Sequence, residues 1–147
     1  MLLEWLEMRE TLVRFMHEHR TLCHAPRPDP VALSRNRWLL SNASRRRAAW
    51  MIRTADAIAE RLAHTTGGAA WPAVQADMRV YRGYISEFVS RWPIDTIIGD
   101  WDGYRRGVVE LRPEIARWLR KEEFAIRALA AELEAETVTL TVIACRT

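Results

Sequence analysis

Trp71-Pro72-Ala73-Val74-Gln75-Ala76-Asp77-Met78-Arg79-Val80-Tyr81-Arg82-Gly83-Tyr84-Ile85-Ser86-Glu87-Phe88-Val89-Ser90-Arg91-Trp92 carries the clearest periodicity in the chain. Val74, Met78, Tyr81, Ile85, Phe88 and Trp92 recur at steps of four, three, four, three and four residues. A seam with that spacing is what a helix presents when it packs in a bundle. Pro72 stands where a first helical turn tolerates proline, Gly67-Gly68 stops the segment before it, and Pro93 ends the seam. The stretch therefore predicts a helix over 71–92, the third of the chain.

Upstream, Trp5, Met8, Leu12, Phe15 or Met16, His19 and Cys23 follow three- and four-residue steps through Leu2 to His24 and predict a first amphipathic helix. Ala25-Pro26-Arg27-Pro28-Asp29-Pro30 ends it, because prolines remove backbone donors and force extended conformations on the residues before them. From Val31 to about His64 there is neither proline nor glycine, and Leu33, Leu40, Met51, Ile58 and Leu62 mark one stripe. This is a second helix, with a break expected near Asn42-Ala43-Ser44.

Downstream, a short Ile94 to Gly99 stretch leads to Asp100, an N-cap for a fourth helix. Its seam runs through Trp101, Tyr104, Val108, Leu111, Ile115, Trp118 or Leu119, Glu122, Ile126, Leu129 and Leu133, and Pro113 should kink or split it. The tail from Thr137 to Ile143 alternates β-branched residues with period two, a local preference for extended chain. The expected fold is all-α: a single domain over 1–147, an up-down-up-down four-helix bundle at 1–135 with a kinked last helix, and a short extended tail at 136–147.

The chain of 147 residues is long enough for one core, and 49% hydrophobic with 28% charged residues places it among globular domains. Its apolar runs are too short to cross a bilayer. Met1 to Glu10 has neither a basic n-region nor a small-residue cleavage site, so a cytoplasmic protein is expected. Cys23 and Cys145 are far apart and in no CxxC pairing, which leaves no basis for a disulfide framework or zinc module. The net charge of +3 arises from arginines interleaved with almost as many acids, a pattern of solvated helix faces.

Trp118-Leu119-Arg120-Lys121-Glu122-Glu123 resembles the last-helix motif of the bacterial hemerythrin-like, HHE cation-binding family, a His-x-x-x-Glu inside a run such as H-I-x-K-E-E. Trp118 stands in place of the histidine and Glu122 keeps the carboxylate. Glu7-Met8-Arg9-Glu10-Thr11-Leu12 is similar to the family's first helix, with Met8 where a ligand would be. Leu33 to Met51 resembles its second, with Arg47 and Met51 at the ligand positions, and Asp77-Met78-Arg79 its third, again with methionine for histidine. The resemblance spans roughly residues 2–135 and implies a four-helix bundle whose relatives hold two irons and bind or sense dioxygen.

That chemistry needs imidazoles from all the facing helices. This chain has four histidines, three of them between Met16 and His24, so a di-iron site of that kind cannot be assembled. The corresponding positions hold Met8, Arg47, Met51, Met78, Trp118 and Glu122, and an Arg47 to Glu122 ion pair is expected inside or near the core, since an unpaired charge there is costly. The competing reading makes Arg47 an ordinary surface arginine of the Arg45-Arg46-Arg47 run.

His17, His19, Cys23 and His24 look like transition-metal ligands, but one helix cannot turn all of them to one ion, and a helix end rich in histidine suits the negative dipole terminus. Arg45-Arg46-Arg47 beside Trp38 and Trp50 reads either as a phosphate-binding patch or as salt-bridging surface. Asn42-Ala43-Ser44 matches a glycosylation acceptor by chance. Among seven tryptophans, Trp38 and Trp71 lie off the main seams and read either as partly exposed, marking a binding surface, or, more commonly, as core or helix-end packing. No GxSxG, HExxH or glycine-rich phosphate loop occurs.

The function expected is therefore a non-enzymatic, hemerythrin-like bundle without metal or other cofactor, serving as a binding, regulatory or structural module. A protein or small-molecule ligand and a homodimer are expected as partners, the dimer on the strength of the extended tail and the excess tryptophan, with no membrane contact. The alternatives are a metal-binding, oxygen-handling or oxygen-sensing relative and a nucleic-acid-binding module using Arg45–Arg47.

Overall fold

The computed structural model describes residues 1–144, the side chains of 142 and 143 excepted. Helices make up all of its regular structure: α1 (Leu2–Cys23), α2 (Pro30–Trp50), a π-helical segment (Met51–Ala55), α3 (Asp56–Arg61), α4 (Thr66–Arg91), α5 (Ile94–Gly99) and α6 (Trp101–Ala144). No strand is present among the described residues. None of these helices is long and apolar enough to cross a membrane.

The proline-rich connection ends at Asp29, whose carboxylate accepts from Ala32 N at 3.0 Å while Pro30 takes the first helical position. α1 and α2 pack along one another, α4 packs along α6, and α1 touches α6. Two apolar clusters result. The larger gathers Trp5, Met8, Trp50, Met51, Leu62, Trp71, Met78, Trp118, Ile126 and Leu129. The smaller lies where α1, α2, α5 and α6 meet, around Cys23, Leu33, Ile97, Trp101 and Tyr104. Leu62, Ile126 and Leu129 are fully enclosed, and burial of such a side chain stabilises the fold by about 2 kcal/mol.

In several places the fold departs from what the local sequence predicts. α2 passes through Asn42-Ala43-Ser44 without a break, and the Asn42 side chain accepts from Arg45 rather than competing with the backbone. The irregularity comes later, at Met51–Ala55, where one widened turn lets Trp50 and Met51, adjacent in sequence, both stay buried and Ala55 follow them inward.

Gly67-Gly68 is not a stop. It forms the first turn of α4, which begins at Thr66 and carries Pro72 inside it. Thr65 caps that turn through Gly68 N, and the Glu132 carboxylate accepts from the Thr65 hydroxyl at 2.6 Å and from Gly67 N at 2.7 Å. A Cβ on Gly68 would lie 1.9 Å from the Leu62 carbonyl oxygen, so the chain turns this tightly only with glycine.

Pro113 does not split α6, which continues through it; the exposed Val109 lies one turn back, so the carbonyl that loses its partner can be hydrated. Nor is the tail extended. With no strand among the described residues to pair with, α6 propagates to Ala144, and the hydroxyls of Thr137, Thr139 and Thr141 donate to the carbonyls of Leu133, Ala135 and Thr137. The rest of the expected tail, 145–147 with Cys145, lies outside the described residues.

Candidate functional site

Helix phase turns α1, α2, the π-helical segment, α4 and α6 so that the six positions singled out in the sequence all face inward. Met8, Met51, Met78 and Trp118 belong to the larger cluster, and Arg47 and Glu122 are the charged residues buried with it, 8% and 2% exposed. Arg47 Nη1 lies 3.5 Å from Glu122 Oε1. Arg47 is thereby withdrawn from the Arg45-Arg46-Arg47 run, whose other two members are exposed.

Trp5 completes the arrangement, and the sequence reading missed it. Its indole Nε1 donates to the same Glu122 Oε1 at 2.8 Å, so one carboxylate oxygen ties α1 to α6 and faces α2. The available signal was position: Trp5 stands three residues before Met8 on one stripe. Tyr81, three residues after Met78, stacks on Trp118 with ring centroids 4.9 Å apart and an interplanar angle of 29°. Burial pushes its phenol up to about 12, with Arg47 opposing the shift and Glu122 adding to it, which places both charges within electrostatic reach of the ring.

The pair is electrostatic rather than a directed hydrogen bond. Arg47 Nη1 has no hydrogen-bond partner, and neither does the buried Trp50 Nε1. At 3.5 Å in an apolar surround the Coulomb attraction is strong, yet it has to offset the desolvation of both charges. The centre is thus filled by thioethers, indoles and a neutralised charge pair.

The histidines at the end of α1 divide. His19 and Cys23 turn inward, whereas His17 and His24 are exposed, so the four are not brought together. His19 Nε2 lies 2.7 Å from the Tyr104 hydroxyl, and Cys23 Sγ lies 3.8 Å from His19 Nδ1. Burial, with Arg112 and Arg37 adding to it, lowers the His19 pKa to about 4. The neutral imidazole shares a hydrogen bond with the Tyr104 hydroxyl, whose own ionisation burial pushes well above the ordinary value. Burial also raises the Cys23 thiol, the opposite of what a nucleophilic cysteine needs. Among the described residues, no three His, Cys, Asp or Glu side chains are grouped so as to hold a metal ion.

Of the two off-seam tryptophans, Trp38 is 62% exposed, but Trp71 is buried, its Nε1 donating to Asp56 Oδ1 at 2.7 Å. The glycine-bearing first turn of α4 draws Trp71 over the core, a placement that periodicity alone does not contain. The fold and its centre define a class, all-helical with a charge-neutralised aromatic and thioether interior. Compared with protein-family models, with curated proteins and with solved structures, the chain matches none.

Proposed function

We propose that this chain is a non-catalytic, cytoplasmic helical module of the hemerythrin type, an up-down-up-down bundle of α1, α2, α4 and α6 that has exchanged a metal centre for packing and acts through binding, as a regulatory or structural partner. The arrangement that carries this reading is the Trp5–Glu122–Arg47 contact. The one carboxylate kept from the resembling motif is engaged by an indole N–H and faced by a guanidinium, and Met8, Met51, Met78 and Trp118 surround it. The helix order and the α1–α2, α4–α6 and α1–α6 packing support the bundle topology.

A cationic guanidinium beside Glu122 disfavours a second cation there, and methionine thioethers are poor partners for iron. Function then resides on the outer helix faces. Elemental analysis of protein produced without a histidine tag, in medium supplied with iron, manganese and zinc, tests this. Far less than one metal per chain is expected; a stoichiometric metal lost on Glu122→Ala would overturn the reading in favour of a metal-handling protein.

A further inference from the structure

The binding-module reading leaves the partner open, and on that reading we propose that the partner is a second copy of this chain, docked through the α1–α2 layer about a two-fold axis running along the two helices. Arg9 on α1 reaches Glu123 of α6, and Arg37 on α2 donates to the Trp92 carbonyl at the end of α4. α4 and α6 therefore lie behind the layer, and its other face is exposed among the described residues.

That face is charged in two stripes. No aspartate or glutamate occurs from Pro30 to Ala55, and α2 exposes Arg35 and Arg46 with Trp38 between them. α1 exposes Glu7, Arg14 and Glu18. Counting back from Cys23 and forward from Pro30 at equal rise, Glu7 is level with Arg46, Glu18 with Arg35, and Arg14 is within one residue of Trp38. Yet none of Glu7, Glu18, Arg35 or Arg46 forms an ion pair within the chain among the described residues.

A two-fold axis parallel to the helices keeps every residue at its own height and lays α1 of one copy over α2 of the other. Glu7 then meets Arg46, Glu18 meets Arg35, and the Arg14 guanidinium meets the exposed Trp38 ring, each contact twice by symmetry. Two helices of this length present a footprint of roughly 600 Å² per copy, near the low end of specific interfaces. A nucleic acid fits less well, because the exposed carboxylates of Glu4, Glu7, Glu10 and Glu18 flank the arginines and repel phosphate.

Sedimentation equilibrium of the full chain tests the assignment. Wild type is expected at twice 17.1 kDa. The double variants E7R/E18R and R35E/R46E, all at exposed sites, should keep the helical circular dichroism of wild type and each weaken dimerisation by a factor of about ten or more. Mixing the two variants should restore a dimer, since every reversed contact becomes attractive again. A wild-type monomer at low salt and high concentration, a dimer indifferent to both reversals, or reversals that mixing does not rescue would overturn the proposal. So would a monomer that binds single-stranded oligonucleotides through Arg35 and Arg46. None of these outcomes bears on the metal analysis, so the two ideas fail separately.

Discussion

The indole N–H of Trp5 and the carboxylate of Glu122, separated by 117 residues of sequence, meet at 2.8 Å, and the Arg47 guanidinium stands 3.5 Å from the same oxygen. Removing one member leaves the others buried without compensation. Glu122→Leu and Arg47→Met should therefore each lower unfolding stability in urea by about 3–5 kcal/mol. The double variant should lose clearly less than the sum of the two, because apolar groups replace both charges at once while the Trp5 N–H stays without its acceptor; additive losses would show that the two side chains do not interact.

Acid should weaken the fold through His19. Its folded pKa, about 4, lies below the ordinary 6.5, so the unfolded chain binds the proton first. The stability it preserves is fully present above pH 6.5 and is lost as pH falls toward 4, about 3 kcal/mol in all. His19→Gln keeps a group able to bond Tyr104 and should flatten this part of the urea-stability profile. An unchanged slope would place the titration elsewhere.

Gly68→Ala should be among the most damaging small substitutions, since its Cβ would sit on the Leu62 carbonyl at 1.9 Å. A loss of about 3 kcal/mol or more is expected in thermal melts. Glu132→Ala, which removes the cap on the same turn, should cost about 1 kcal/mol. In the native protein the Thr65 hydroxyl foremost, with the Gly67 and Gly68 amides, holds the Glu132 carboxyl below its usual range, so its resonance should titrate at lower pH than an exposed glutamate.

Cys23 should resist alkylating reagents in the folded state, its thiol both buried and pushed up in pKa. Peptide mass mapping after a short exposure should find Cys23 unmodified in native protein and modified in urea. Rapid native modification would contradict the buried placement.

What the sequence made legible was whatever repeats with the helical period. The stripes through Trp5, Met8 and Leu12, and through Trp101, Tyr104 and Val108, name side chains that are buried, and Asp29 and Asp100 mark helix starts through short side-chain bonds. Met8, Met51, Met78, Trp118 and Glu122 were likewise legible as inward-facing, since each lies on a seam, whereas the arginine run left Arg47 open to a surface reading that its burial settles. Features set by contacts across the fold were not. The Trp5 donation needs α6 beside α1, and the π-turn at Met51–Ala55 exists to bury two adjacent large side chains. Gly67-Gly68 reads as a stop because glycine usually follows helices, whereas here close passage past Leu62 and the Glu132 cap make it a start. The tail was misread because β-branched alternation outweighs helix propagation only where a partner strand exists.

Engagement of Glu122 by Trp5 and Arg47, instead of by a metal ion, can be read from the Trp5 indole N–H in a ¹⁵N NMR spectrum. The resonance should exchange slowly with solvent, stay unmoved by iron, manganese or zinc, and lose its protection in Glu122→Leu. A Trp5 indole that exchanges freely in wild type, or one that shifts or broadens when metal is added and recovers on chelation, would contradict the account.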